Sequence, residues 1–392
     1  MSRQLIDHSP DLERLSDEGY EIEVKGGYLL IHQIPYVNSS REICRGTLVC
    51  ELNLVSDTQT APPQNHVNYF IGDHPCNNDG TLITAIRHTS QNQVLGEGIT
   101  VNHSFSNKPP AGYPDYYQKM TRYISIISDQ AISIDKSVTP RTFKVIPDND
   151  DESVLQYMDT NSSRANIYPV NSKLIGHKVA IIGLGGTGSY ILDLASKTWV
   201  SEIHLYDGDY FCQHNAFRAP GAPDGDLLNK RLKKVDYLAS IYSNMHKNII
   251  PHDYFIHEEN INELDAMNFV FISVDKDPAR KSLIEYLLKK TIPFIDVGIG
   301  VTLVEDSLIG SVRVTTATKD KNDHLNKRIS SGSIENDEYA SNIQIADLNC
   351  LNASLAVIKW KKILGLYQDL KKEHHSTYSI NVGKLNNEDF TV

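Results

Sequence analysis

The sequence predicts an α/β protein: a doubly wound, mostly parallel sheet preceded by a smaller β-rich α+β domain. Three observations predict it. Residues 178–207 read K-V-A-I-I-G-L-G-G-T-G-S-Y-I-L-D-L-A-S-K-T-W-V-S-E-I-H-L-Y-D, which is strand, glycine turn, helix, strand and acid in succession. Two more short apolar runs, at 268–274 and 292–297, have the look of strands buried on both faces. Before residue 146 the pattern is different, with alternating strands punctuated by glycine.

In chain order, residues 1–20 read as a polar lead-in with a short helix. Strands follow in Y-E-I-E-V, G-Y-L-L-I-H-Q-I and G-T-L-V-C-E-L-N-L-V. The stretch 65–80 is rich in turn residues, and 104–120 reads as an aromatic loop carrying Pro109, Pro110, Pro114, Tyr113, Tyr116 and Tyr117. Residues 121–135 fit either an apolar helix or a strand. His66, His74, Cys76 and Asp79 invite a metal reading, but their spacing matches no zinc pattern, and turn chemistry and core packing account for them. The tyrosines read as core. Residues 1–145 thus form the first domain, 146–163 a linker around the acidic P-D-N-D-D-E, and 164–392 the second domain.

Composition bounds the partners. The 392 residues are 40% hydrophobic and 22% charged, ordinary for a globular protein, and the net charge of −11 disfavours nucleic acid and anionic membrane. There is no apolar run long enough to span a bilayer, and the start M-S-R-Q-L-I-D-H lacks a signal segment. The five cysteines are scattered without a C-x-x-C pair, which points to a reduced, cytoplasmic setting.

The chemistry concentrates after the first strand of the second domain. Gly183, Gly185, Gly186 and Gly188 let the backbone turn tightly and approach a phosphate, and the following helix offers unpaired N–H groups to it. Asp207 stands at the end of the next strand, where an acid meets a ribose hydroxyl. Downstream come Asp209, Asn215 and Arg218, then a basic helix in N-K-R-L-K-K-V-D-Y-L-A-S-I-Y. Asp275 ends the third strand, with Arg280 beyond it, and Gly298 and Gly300 bound the fourth.

In this order and spacing the chain resembles the ThiF/MoeB/HesA family, the adenylating relatives of ubiquitin-activating enzymes, with a Rossmann-like fold. The resemblance spans about residues 160–365. It extends more loosely to a bacterial subgroup with a β-rich N-terminal domain. It implies that Asp207 holds the ribose of ATP and that Asp209 belongs to the same cofactor-binding set. Arg218 and Lys234 neutralise the phosphates, with Asn215 beside them, and Lys230 and Lys233 compete with Lys234 for that role. Asp275 binds Mg²⁺. Arg164 reaches into the site of a second copy, which makes a homodimer functional. The implied reaction converts the C-terminal glycine carboxylate of a ubiquitin-like protein to an acyl adenylate, and the N-terminal domain docks that protein or a conjugating enzyme.

The sequence also departs from the family. Without C-x-x-C pairs, no structural zinc is expected. The crossover segment 314–341, expected to be polar and mobile, contains no cysteine. Three acyl acceptors stay open: a partner's nucleophile, a hydroxyl (Thr318, Ser330, Ser331 or Ser333, with His324 as base), or a thiol elsewhere. Cys350 reads as a packing residue on a helical stripe at 345, 348, 351, 355 and 358, and Cys212 lies in a turn close to the motifs. Two other functions compete, a nicotinamide-dependent oxidoreductase and a non-enzymatic dimeric binding module. Neither accounts for Asn215, Arg218, the basic helix and Asp275 together.

Overall fold

The computed structural model describes residues 2–96, 98–146, 153–165, 167–274, 278–329 and 343–391. The chain divides into two compact units, 1–171 and 172–392. The division falls later than the expected boundary at 164, so Arg164 belongs to the first unit, and residues 147–152 of the expected linker lie outside the described residues.

The first unit opens with helices α1 (Ser2–His8) and α2 (Pro10–Asp17). Its strands are β1 (Glu21–Lys25), β2 (Tyr28–Val37), β3 (Ile43–Glu51), the short pair β4 (Leu54–Ser56) and β5 (Gln59–Thr60), then β6 (Val67–Ile71), β7 (Arg87–Gly96) and β8 (Ile99–Ser106). Six of them form an antiparallel sheet in the order β1-β2-β3-β6-β8-β7. Helix α3 (Tyr116–Ile134) buries Tyr116, Met120, Tyr123 and Ile127 in the same cluster as the inner sheet residues. The stretch expected to remain a loop through Met120 becomes helical at Tyr116. Asp115 caps the helix there, its carboxylate accepting from the Gln118 N–H at 2.7 Å. Tyr113 and Tyr116 are core residues, and the Asn53 N–H donates to the Tyr116 hydroxyl at 2.7 Å. The unit closes with α4 (Thr160–Ala165) and α5 (Tyr168–Asn171).

The second unit is built on β9 (Lys178–Ile182), β10 (Glu202–Tyr206), β11 (Ile249–His252), β12 (Phe269–Ile272), β13 (Phe294–Val304), β14 (Ser307–Ala317), β15 (Glu373–Ser379) and β16 (Lys384–Phe390). They make one eight-stranded sheet ordered β11-β10-β9-β12-β13-β14-β15-β16. The run from β11 to β13 is parallel and the rest antiparallel. Its helices are α6 (Gly186–Ala195), α7 (Gln213–Ala216), α8 (Gly225–Asn229), α9 (Lys234–Tyr242), α10 (Pro278–Lys290), α11 (Leu325–Arg328) and α12 (Ala346–Ile363). Strand residues alternate between two cores. Val179, Ile181, Phe269 and Phe271 join the cluster containing Leu192, Leu238 and Trp360, whereas Ala180, Ile182, Val270 and Ile272 join Leu283 and Leu287 of α10. Each fully buried aliphatic or aromatic side chain contributes about 1.5–3 kcal/mol, so helices on both faces are what these apolar strands require.

Four local expectations are corrected. The fourth strand does not stop at Gly298 but runs through Gly298 and Gly300 into a hairpin with β14, where a Cβ on Gly298 would crowd Arg313 and a Cβ on Gly310 of β14 would meet the Gly300 carbonyl oxygen at 2.1 Å. The basic helix is two helices, broken at 230–233 where Arg231 adopts φ +49°. The segment expected to be mobile, 314–341, is strand as far as Ala317, and its residues 330–341 lie outside the described residues. Finally, α12 is present but rotated from the expected stripe. Asn349, Asn352, Ala353, Ala356 and Trp360 are its fully buried face, Ile358 is 43% exposed, and Cys350 is exposed rather than packed.

Candidate active site

From β9 the chain winds outward through β10 and β11, then returns to lay β12 on the other side of β9. That reversal opens a crevice beyond the strand C-termini. A cavity of about 840 Å³ occupies it. Strand order sets its two ends. The turns after β10 and β11 supply Asp207–Asp209 and Asp253–His257, the residues just after β12 supply Ser273 and Val274, and the middle of β13, just past its pairing with β12, supplies Val297–Ile299.

The glycine turn forms the middle of the wall. Gly183 has φ +85°, and a Cβ there would stand 2.4 Å from the Ser273 carbonyl oxygen, so the β9 turn closes against the β12 end. Gly188 packs under the turn, where a Cβ would meet the Gly183 carbonyl oxygen at 1.9 Å. Gly185 differs: it caps α6, and a Cβ there would meet open space. The open space lies before the first N–H groups of α6, an arrangement that accepts an anion.

Asp207, 4% exposed, is fastened by backbone donors. Its Oδ2 accepts from the Leu184 N–H at 2.7 Å and its Oδ1 from the Asp209 N–H at 2.9 Å. Lys234 opens α9 and is 7% exposed. Its Nζ lies 2.7 Å from Asp209 Oδ2 and 3.3 Å from Asp207 Oδ2. Of the three competing lysines, Lys234 lines the cavity. Lys233 instead donates to the Gly208 carbonyl at 2.6 Å and sits over the Tyr210 ring, and Lys230 is exposed. Arg218 also lines the cavity. Its Nε and the Nδ2 of Asn215 are buried with no hydrogen-bond partner among the described residues. Asn215 Oδ1 accepts from the Cys212 N–H at 2.8 Å, which holds the turn carrying Arg218.

Several lining or supporting residues were not singled out from sequence. Tyr254, Phe255 and His257 form a wall beside Gly208, and burial raises the pKa of the Tyr206 hydroxyl, whose ring stacks on His252. Asn349 of α12 accepts from the Thr187 hydroxyl at 2.9 Å and donates to the Arg218 carbonyl at 3.4 Å, tying the glycine turn to the Arg218 loop. Arg280, named in the sequence only by its place beyond Asp275 and given no role there, enters the cavity from α10, its guanidinium bound to Asp296.

Other expected residues lie elsewhere. Arg164, exposed in the first unit, donates to Gln64 Oε1 at 2.7 Å. Asp275, Ser330, Ser331 and Ser333 lie outside the described residues. Thr318 follows β14 next to Ala317, which pairs with Phe294 at the start of β13, so it is at the opposite end of the sheet from the cavity. Its hydroxyl is 3.3 Å from His374 Nε2, and His324 is buried beside His374. Among the described residues, no three His, Cys, Asp or Glu side chains are grouped to hold a metal, and no helix is long and apolar enough to cross a membrane.

Comparison with known proteins gives two family matches. Residues 164–334 match the ThiF family, and residues 10–160 match a family described as Domain of unknown function (DUF6791). Residues 164–334 are a ThiF-family domain. The tRNA threonylcarbamoyladenosine dehydratase of Haemophilus influenzae is 28% identical over 131 residues, 31% of this chain and 46% of that protein. The chain therefore spans less than half the length of that relative. Among solved structures, Escherichia coli MccB with MccA-N7isoASN has a TM-score of 0.48 at 18% identity, covering 58% of this chain and 68% of the other. The MccB–ATP structure gives 0.47 at 17%, covering 59% and 71%. PaaA gives 0.46 at 18%, covering 74% and 93%.

Proposed function

We propose that the second unit adenylates a carboxylate with ATP, and that the acid is the C-terminal glycine of a ubiquitin-like protein. The observation that carries the reading is the meeting, at one switch point, of an open α6 N-terminus, a backbone-fastened buried acid, and Arg218 and Lys234. A carboxylate is a poor electrophile and ATP is an anion, so bringing them together calls for cations and a phosphate cradle more than for a general base. The residues fit the nucleotide. The space at Gly185 is what a phosphate takes up, and the unpartnered Asn215 Nδ2 and Arg218 Nε are donors that lack an acceptor. Asp207 receives the ribose hydroxyls. Lys234 then shifts its charge from Asp209 toward the phosphates, and Arg218 stabilises charge on the α-phosphate as the acyl oxygen adds and pyrophosphate leaves.

Mg²⁺ supplies further charge neutralisation when bound, and Asp275, next in sequence to the cavity residue Val274, is its proposed ligand beside phosphate oxygens. In a homodimer, Arg164 of one copy serves the site of the other. The acyl acceptor we favour is a partner's nucleophile. Thr318 stands at the far end of the sheet, and the exposed Cys212 and Cys350 do not line the cavity. A conjugating enzyme is the partner of that chemistry, in a reduced bacterial cytoplasm.

Calorimetric titration with ATP tests the nucleotide half of this. Wild type should bind, and Asp207→Ala and Lys234→Ala should each weaken binding about tenfold or more, the scale of a lost charged hydrogen bond. Preference for NADH over ATP would instead favour an oxidoreductase.

A further inference from the structure

We infer that the acid enters as the extended end of a polypeptide lying across Val297–Ile299, with Arg280 taking its terminal carboxylate and Gln344 taking a peptide N–H behind it. This rests on the adenylation reading and deepens it. The nucleotide residues occupy the β10 and β11 end of the cavity, which leaves the β12 and β13 end for the acid. There, Ser273, Val274, Leu283, Val297, Gly298, Ile299 and Gln344 are neutral, and Arg280 is the charged lining residue among those described.

The charge count at Arg280 is unusual. Asp296, fully buried on β13, accepts from Arg280 Nε at 2.8 Å and also from Arg280 Nη2. The same carboxylate accepts from Arg313 Nη2 at 2.6 Å. Two guanidinium groups share one carboxylate, so the cluster keeps a net positive charge beside the cavity. Arg313 is committed on its other side, where Nη1 donates to the buried Thr315 hydroxyl at 2.6 Å. Arg280 is the member that lines the cavity, and Asp296 fixes its fork while leaving the Nη1 edge outside these bonds. Planar, pre-oriented and permanently charged, it suits a carboxylate better than a lysine would.

Two further features select a peptide over a small acid. Gln344 Oε1 is buried with no hydrogen-bond partner among the described residues, an acceptor that lacks a donor such as an amide N–H. A Cβ on Gly298 would crowd Arg313 Nη2 at 2.7 Å, and the Gly298 carbonyl accepts from Asn352 Nδ2 at 3.2 Å, so the strand lines the cavity there without a side chain and with its carbonyl already bonded. A glycine at such a point lets another backbone come close. In the reaction, a carboxylate oxygen held by Arg280 forms a bond to the ATP α-phosphorus, the bond to the pyrophosphate oxygen breaks, and pyrophosphate departs with its electron pair. Arg280 remains a donor to the carbonyl oxygen of the product. Asp296 acts through Arg280 and is a positioning residue.

The test compares two ligands by calorimetry on the full chain: sulfamoyladenosine, and the same compound carrying an N-acetyl-diglycyl group as a stable acyl-adenylate mimic. Wild type should bind the acylated compound about tenfold more tightly. Arg280→Ala should erase that gain while binding sulfamoyladenosine within about twofold of wild type, and Gln344→Leu should reduce it. Asp296 keeps Arg313 in the Arg280→Ala variant, and a melting curve close to wild type checks the fold. Equal binding of both compounds by wild type, or a gain that survives in Arg280→Ala, would overturn the assignment. Failure of the unacylated compound to bind wild type would overturn the nucleotide reading itself, a separate result because that ligand has no acyl group.

Discussion

At the residue scale, the glycines of one turn do different work, and substitution separates them. Gly188 has no space, because a Cβ would collide with the Gly183 carbonyl, whereas Gly185 faces the cavity. Gly188→Ala should therefore cost at least about 1–3 kcal/mol of stability, read as a lower urea midpoint. Gly185→Val should keep a near-wild-type midpoint but lose ATP affinity, because its side chain projects into the phosphate space. Equal destabilisation by both would show that the turn is only structural. Asp207 was legible in the sequence because it stands at the end of a strand inside one continuous motif, whereas Lys234 was legible only as one of three competing lysines until the structure set it alone of the three on the cavity wall. Asn349 was not, since it lies 162 residues from the Thr187 hydroxyl that it accepts from. Only the packing of α12 on α6 brings the two together. The Asp296 cluster was hidden for the same reason: its arginines come from α10 and β14, and the sequence offers no period that links them.

At the element scale, the apolar strands and the glycine turn were readable because burial on both faces leaves an unbroken hydrophobic run. Strand β11 (I-I-P-H) was missed, being an edge strand too short and too polar at its end to stand out. The face of α12 was misread because two of its buried positions are asparagines, which a hydrophobic stripe cannot reveal. Strand β15 carries a pH dependence. Burial, with Arg328 and Arg313 nearby, lowers the His375 pKa to about 4, and burial lowers those of His374 and His324. The folded state then binds fewer protons than the unfolded chain between about pH 6.5 and 4. Stability is full above that window and falls as pH drops through it. The melting temperature should decline across the window, and His375→Gln should flatten the decline. A melting temperature flat from pH 7 to 4.5 would mean these imidazoles are not held neutral.

At the scale of the whole molecule, a compact β-rich unit and a ThiF-family unit share one chain, and Arg164 sits in the first. If Arg164 serves the site of a second copy, Arg164→Ala and Asp207→Ala should each be inactive alone. Mixing them should restore part of the activity, because one site of the mixed dimer has both residues. No recovery on mixing, with dimers confirmed by light scattering, would place the action of Arg164 elsewhere. The double winding and the cavity position were predictable from strand order, since the switch point follows from how the chain reverses across β9. The β12 and β13 end of the cavity was not, because it depends on side chains that meet only after β13 and β14 pair. The most direct measurement of the central claim is ATP–pyrophosphate exchange with Mg²⁺ and a ubiquitin-like protein ending in glycine. The account predicts exchange that depends on that protein and is lost in Asp207→Ala and Asp275→Ala. Exchange that persists in both variants, or ATP binding with no exchange for any C-terminal carboxylate offered, would contradict it.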